Sequence, residues 1–290
     1  MDRFRLRVPA AVRAIALQLL HRAALRRLRA LATPTHPGLE RILAAVELAL
    51  QGRADPDERA WIARIERRRR ELLASDEPLA PVDYGAGQTS AADRHPQVAG
   101  EAEWTVGGRC RSSKSPFWAL LLFRLVRELR PERCLELGTN CGISAAYQAA
   151  ALRLNGAGSL RTVEGNPALV ALSRRSLASL GLAATVEEGR FADVLPRLLE
   201  EEGPFDHVFV DGHHDGAGTV GYFEQLLPRL GPAAVVVFDD IAWSTGMAQA
   251  WQTLRAHPRV RVAVDLGAMG VCVVDGGAGP AIRVTLPLRG

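Results

Sequence analysis

Five short apolar runs constrain this chain more than any other feature: RCLEL (133–137), SLRTVE (159–164), ATVEE (184–188), FDHVFV (205–210) and AAVVVF (233–238). Each is too short for a buried helix and is bounded by turn-forming or polar residues, which marks a strand. Between them lie longer segments with apolar residues at helical spacing, among them ISAAYQAAALRL (143–154) and residues 167–180. Upstream, Pro116 opens the helical run FWALLLFRLVREL, and Pro131 stops it after Arg130. Strands alternating with helices predict a parallel sheet covered on both faces, because parallel strands need a crossover to return the chain to the same end. VRVAVDL (260–266) and GVCVVD (270–275) lie close enough to pair as an antiparallel hairpin at its edge.

The first 110 residues have a different texture. Residues 1–75 carry 16 arginines against 8 acidic residues, whereas the whole chain has a formal charge of only +4. Residues 38–50 and 56–74 have helical spacing, and residues 75–110 are rich in glycine and proline and read as loop. The run Arg67–Arg70 is expected to be a solvated helix face, since no aromatic residues interleave the arginines as a nucleic-acid surface requires. Residues 8–31 form a basic amphipathic stretch that either packs on the body of the protein or lies on a membrane surface; packing is preferred. No run of 18 apolar residues exists to span a bilayer. The four cysteines, Cys110, Cys134, Cys141 and Cys272, form no CxxC pair and read as reduced thiols, so a cytoplasmic location is expected. At 48% hydrophobic and 23% charged residues the composition excludes wholesale disorder and a disulfide-stapled miniprotein.

Chemistry concentrates where strands end. In open α/β sheets ligands bind beyond the carboxyl ends of the strands. The polar clusters at 136–142, 164, 189–193, 211–214 and 239–244 all fall there, so one crevice can gather them. The first loop, Glu136-Leu137-Gly138-Thr139-Asn140-Cys141-Gly142, places glycines where backbone must approach a ligand. It puts an acidic residue where a dinucleotide loop has its first glycine. A carboxylate there repels a pyrophosphate and suits a cationic amino group, which argues against a nicotinamide-dependent oxidoreductase. Glu164, 26 residues past Gly138, can accept both hydroxyls of a ribose. An aminoacyl group joined to a nucleoside describes S-adenosylmethionine.

The segments CLELGTNCGISAAYQAAAL, RTVEGNP, FDHVFVDGHHD and VVVFDDIAWSTGMAQAW resemble class I S-adenosylmethionine-dependent methyltransferases, nearest the small-molecule O-methyltransferases of the catechol and caffeoyl-CoA type and their bacterial relatives. The resemblance covers about residues 112–275. It implies a Rossmann-like sheet of seven strands, mostly parallel, with an N-terminal helical extension. The expected division is 1–111 as Arg-rich extension and lid and 112–290 as the methyltransferase domain. Cofactor-binding positions implied are Glu136, Gly138, Thr139, Asn140, Gly142 and Ser144 around the methionine end and Glu164 and Gly165 at the ribose. Gly189 and Phe191 would border the adenine, and Asp211 would lie beside the cofactor. Metal-dependent relatives join an aspartate at the position of Asp211 to a pair at the position of Asp239-Asp240, which would hold Mg²⁺ through oxygen ligands. Asp239-Asp240 could equally bind substrate or cap the following helix.

One departure from those relatives concerns proton removal. They often carry a lysine three residues after the first aspartate; here His213 and His214 follow instead. His214 is the expected general base, with His213 and Asp211 beside it. Trp243 has the best claim among the tryptophans to the acceptor pocket. Lys114, the single lysine, stands in RSSKS just before the long helix, where relatives can close over the cofactor. The acceptor is expected to be a small molecule. An RNA acceptor held by the N-terminal arginines, and a non-catalytic module of the same fold, are the weaker alternatives. A homodimer through the N-terminal helices is left open.

Overall fold

A computed structural model describes residues 19–27, 36–80, 104–275 and 280–289. Most of the basic stretch 8–31, and the segment 81–103 with DYGAG, lie outside the described residues. Helix α1 comprises residues 19–27. The remaining helices and strands follow in chain order: α2 (Pro37–Gln51), α3 (Pro56–Leu73), α4 (Val106–Arg111), α5 (Pro116–Leu129), β1 (Arg133–Leu137), α6 (Ile143–Asn155), β2 (Ser159–Glu164), α7 (Pro167–Leu180), β3 (Thr185–Glu188), α8 (Phe191–Glu201), β4 (Phe205–Val210), α9 (Gly216–Leu226), β5 (Leu230–Phe238), α10 (Thr245–Ala256), β6 (Val260–Asp265), β7 (Gly270–Val274) and β8 (Ile282–Thr285).

Local sequence explains where these helices begin and end. Asp55 caps α3 by accepting from the Glu58 amide while Glu58 reaches back to the Asp55 amide, and Pro56 occupies the first turn, where no N–H is needed. Asn166 caps α7 through the amides of Ala168 and Leu169, and Gly181 ends it in a left-handed conformation. Pro116 opens α5, which ends at Arg130 ahead of Pro131.

The sheet order is β3-β2-β1-β4-β5-β7-β6-β8. Strands β1 to β5 pair in parallel, and β7 runs antiparallel to both β5 and β6. The expected hairpin is therefore present, but the sheet has eight strands rather than seven. β8 pairs in parallel with β6. It is four residues long and half exposed, too short for its alternation to stand out. The order turns between β1 and β4, which places a crevice over the carboxyl ends of those strands.

Side chains divide between two faces with period two along the strands. On one face Phe209, Val235, Val237, Val262, Val264, Val271 and Val273 pack under α5 and α2. On the other, Val208, Val210, Val236, Phe238 and Cys272 pack under α8, α9 and α10. Helices α2 and α3 belong to these cores. Ile42 and Val46 of α2 sit with Leu121 and Leu125 of α5, and Ile65 and Leu72 of α3 sit with Ala146 and Tyr147 of α6.

Two N-terminal expectations change. Part of 75–110 is structured: Pro78 bridges Thr105, and Thr105 caps α4 by accepting from the Gly108 amide. The arginine run is not simply a solvated face. Arg69 is buried and paired with Glu66, and Arg68 donates to Ser176 on α7. Slightly upstream, Arg64 donates to the Leu180 carbonyl and lies over the Trp61 ring. Arg64, Arg68 and Arg69 thus anchor α3 to its neighbours, while Arg67 and Arg70 are exposed as expected.

Candidate functional site

Strand β1 ends against strand β4. A Cβ on Gly138 would stand 1.9 Å from the Asp211 carbonyl oxygen, and its φ of +108° lies where side chains are disfavoured. Only glycine lets the two strand ends meet so closely. Below this contact Glu136 is fully buried. Its carboxyl accepts from the Thr162 hydroxyl at 2.6 Å and from Gln148 Nε2 at 3.0 Å. Burial pushes its pKa up to about 8, against hydrogen bonds from Ser144 and Thr162 that favour the charged form. Thr139, also buried, joins the chain through a 2.6 Å contact between its hydroxyl and that of Thr162. The acid therefore sits at the head of a polar chain beneath the loop.

At the end of β2, Glu164 organises the same loop from the other side. Its two oxygens accept from the amides of Asn140 at 2.8 Å and Asn166 at 2.9 Å. Burial raises its pKa. A carboxylate has about four lone-pair sites, so roughly two remain for a ligand. Gly142 opens α6 with φ +83°, and Gly165 follows Glu164 directly. At the end of β3, the Gly189 amide donates to the Glu164 carbonyl. Phe191 then stands edge-on to Tyr222, with ring centroids 5.6 Å apart, and against Gly212, where a Cβ would come within 2.6 Å of its ring.

Strands β4 and β5 bring the remaining groups together. His214 Nε2 lies 4.0 Å from Asp211 Oδ1, and its Nδ1 lies 3.6 Å from Asp240 Oδ2. Trp243, 42% exposed, has its ring 6.3 Å from that of His214. His213 turns away: its Nδ1 lies 3.0 Å from the Tyr222 hydroxyl. Asp239 is nearly fully buried and makes an ion pair with the Lys114 ammonium, which also lies 3.3 Å from Asp211 Oδ1. Four of the six non-glycine residues with positive φ among the described residues are here: Asn140, His213, His214 and Asp240. Such strain costs on the order of 1–3 kcal/mol per residue and gathers at functional sites.

Residues 135–241 match the family described as "Methyltransferase domain". The chain is 34% identical over 132 residues to a catechol O-methyltransferase of Niastella koreensis and 40% identical over 100 residues to catechol O-methyltransferase B of Danio rerio. These alignments cover 44% and 33% of this chain and 58% and 37% of the two relatives, so the chain spans less than two thirds of either. Among solved structures it is similar to an O-methyltransferase from Bacillus cereus in complex with S-adenosylhomocysteine. That likeness has a TM-score of 0.50 and 24% identity, over 56% of this chain and 82% of the other. The likeness shows a shared Rossmann-like α/β fold.

Within this fold the structure brings together most of the positions singled out in the sequence. Hydrogen bonds tie Glu136, Thr139, Asn140, Glu164 and Gly189 together around the first loop, where Gly138, Gly142, Ser144 and Gly165 also lie, and Phe191 stands beside Gly212. Asp211, His214, Asp239 and Asp240 gather at the adjacent strand ends. Two expectations are corrected. His213 is engaged with Tyr222 instead of the carboxylates. The helix after β5 is capped by Ser244, which accepts from the Met247 amide, so the aspartate pair does not cap it.

Sequence reading undervalued the segment 104–114. Asn140 donates to the Arg109 carbonyl at 3.2 Å and to the Ser112 hydroxyl at 3.1 Å, which ties α4 across the first loop. Lys114 then enters the carboxylate pair from above. Its being the single lysine, in RSSKS ahead of the long helix, is the signal the sequence carries; proximity to Asp239, 125 residues away, has no trace in local sequence.

Proposed function

We propose that this chain transfers the methyl group of S-adenosylmethionine to an oxygen of a small-molecule acceptor, and that residues 112–290 carry the activity, with 1–111 as an extension. The observation that carries this reading is the meeting of Gly138 with the end of β4, beside a buried acid and a second carboxylate on β2. The close contact at Gly138 fixes the first loop over the strand ends, and that loop, with the acid Glu136 beneath it and Glu164 beside it, fits an aminoacyl nucleoside.

S-adenosylmethionine, when bound, supplies an electrophilic methyl carbon whose bond to sulfur breaks as its bond to the acceptor oxygen forms. The protein's own residues hold, orient and move a proton. Glu136 favours the ammonium of the methionine portion. Glu164 spends its remaining lone pairs on the ribose hydroxyls. His214 takes the proton that the acceptor hydroxyl loses, and Asp211 and Asp240, one near each ring nitrogen, stabilise the imidazolium that results. His213, held by Tyr222, supports the strained turn that carries His214. Trp243 offers an apolar wall for the acceptor. Alignment of donor and acceptor supplies most of the remaining rate enhancement.

The chain does not fit the Mg²⁺ reading as well. Asp211 and Asp239 face an ammonium, Asp240 faces His214, and among the described residues no three His, Cys, Asp or Glu side chains converge as metal ligands. No step is therefore assigned to a metal.

Calorimetric titration of S-adenosylmethionine and S-adenosylhomocysteine tests the reading. Wild type should bind both in the micromolar range, and Glu164→Ala should weaken both about 10- to 100-fold, the value of one or two hydrogen bonds to a charged group. Folded wild-type protein that binds neither would sink it.

A further inference from the structure

We propose that Lys114 is the resident cation of the strand-end carboxylates, held by the N-terminal helix α3 at the position where metal-dependent relatives carry a divalent ion. Three observations on independent elements carry this. First, the Lys114 ammonium pairs with Asp239 and lies 3.3 Å from Asp211 Oδ1, two of the three residues that would have been metal ligands. Second, Lys114 and Asp239 are both largely buried, with side chains 12% and 3% exposed, so the pair is screened far less than a surface ion pair. Third, the lysine's backbone is clamped. Arg69 of α3 donates to the Lys114 carbonyl at 2.6 Å, Glu66 accepts from Arg69 at 2.9 Å, and the Tyr147 hydroxyl of α6 donates to that same Glu66 oxygen at 2.8 Å.

The clamp gives the Arg-rich extension a purpose at the site. An ammonium has three N–H donors. The Lys114 ammonium donates to Asp239 and stands at ion-pair distance from Asp211, which leaves a donor with no partner among the described residues for an acceptor oxygen. A charge-assisted hydrogen bond of that kind orients the oxygen without a metal. The use of this third donor rests on the methyltransferase reading above; the occupation of the carboxylates by Lys114 does not. Lys114 thus holds the acceptor oxygen directly, and the site is built to exclude a divalent ion.

The experiment is titration of Mn²⁺, a paramagnetic substitute for Mg²⁺, into full-length protein with and without S-adenosylhomocysteine, read by electron paramagnetic resonance. Wild type should show no site tighter than about millimolar. Lys114→Met, which keeps the stem and removes the charge, should gain a site at least tenfold tighter, and adding Asp239→Asn should abolish the gain. Lys114→Gln serves the same purpose if the methionine variant does not fold. Micromolar Mn²⁺ binding by wild type that is lost in Asp239→Asn would overturn the proposal, as would no gain in a folded Lys114 variant. Failure of S-adenosylhomocysteine to bind wild type would instead strike the methyltransferase reading and leave the Mn²⁺ comparison intact.

Discussion

Under the proposed function, Glu136 couples ligand recognition to stability. Unfolded, its carboxyl titrates near 4.5; folded and buried, it is pushed up to about 8. Between those values the native chain holds a proton that the unfolded chain has lost. The contribution of Glu136 to stability is therefore fully present below about pH 4.5 and declines as pH rises toward 8, at about 1.4 kcal/mol per pKa unit as an upper bound. Glu136→Gln should flatten this decline, seen as a urea midpoint less dependent on pH between 5 and 8 than in wild type. An ammonium beside Glu136 favours its charged form, so binding of S-adenosylmethionine should release a proton. Its heat should then change with the ionisation enthalpy of the buffer at pH 7, and in Glu136→Gln that dependence should vanish.

At the scale of elements, strand β4 carries a cost that its neighbours do not share. His207 is fully buried, neither ring nitrogen has a hydrogen-bond partner among the described residues, and burial lowers its pKa to about 4. Between 6.5 and about 4 the unfolded chain binds a proton that the native chain refuses, so stability falls as pH drops through that window. His207→Leu should remove this acid limb and raise the melting temperature at pH 5 more than at pH 8, checked by calorimetry at both values. A rise of equal size at both would assign the effect to packing alone. The segment FDHVFV was legible as a strand from its apolar density, but the burial of its one histidine was not. Burial follows from β1 and β5 flanking β4, and those pairings are non-local.

At the scale of the whole molecule, the N-terminal helices are part of the core. Ile42 of α2 has no exposure, so Ile42→Ala should cost about 2–5 kcal/mol, measured by urea denaturation, although it lies far from the strand ends in sequence. A change within about 0.5 kcal/mol, typical of surface positions, would show that α2 contributes little to the fold. The charge excess of residues 1–75 is partly consumed within the molecule. Arg68 and Arg69 are engaged as described, and Arg64 donates to α7. Those contacts weaken the case for an RNA acceptor.

The sequence by itself determined the alternation of strands and helices, the antiparallel hairpin, and the placing of Glu136, Gly138, Glu164, Asp211 and His214 at strand ends. These features are written in periodicity, in helix caps and in turn residues, all of which act over a few positions. Tertiary structure alone decided which groups face one another. It turned His213 toward Tyr222 while His214 faced the carboxylates, because a run of left-handed residues sends neighbouring side chains in different directions. It added β8, whose short pattern gains meaning only beside β6. It also set Lys114 between Asp211 and Asp239, through a clamp of Tyr147, Glu66 and Arg69 drawn from helices distant in the chain. Ion pairs of this kind depend on where packed elements bring charges, and local sequence carries no record of that distance.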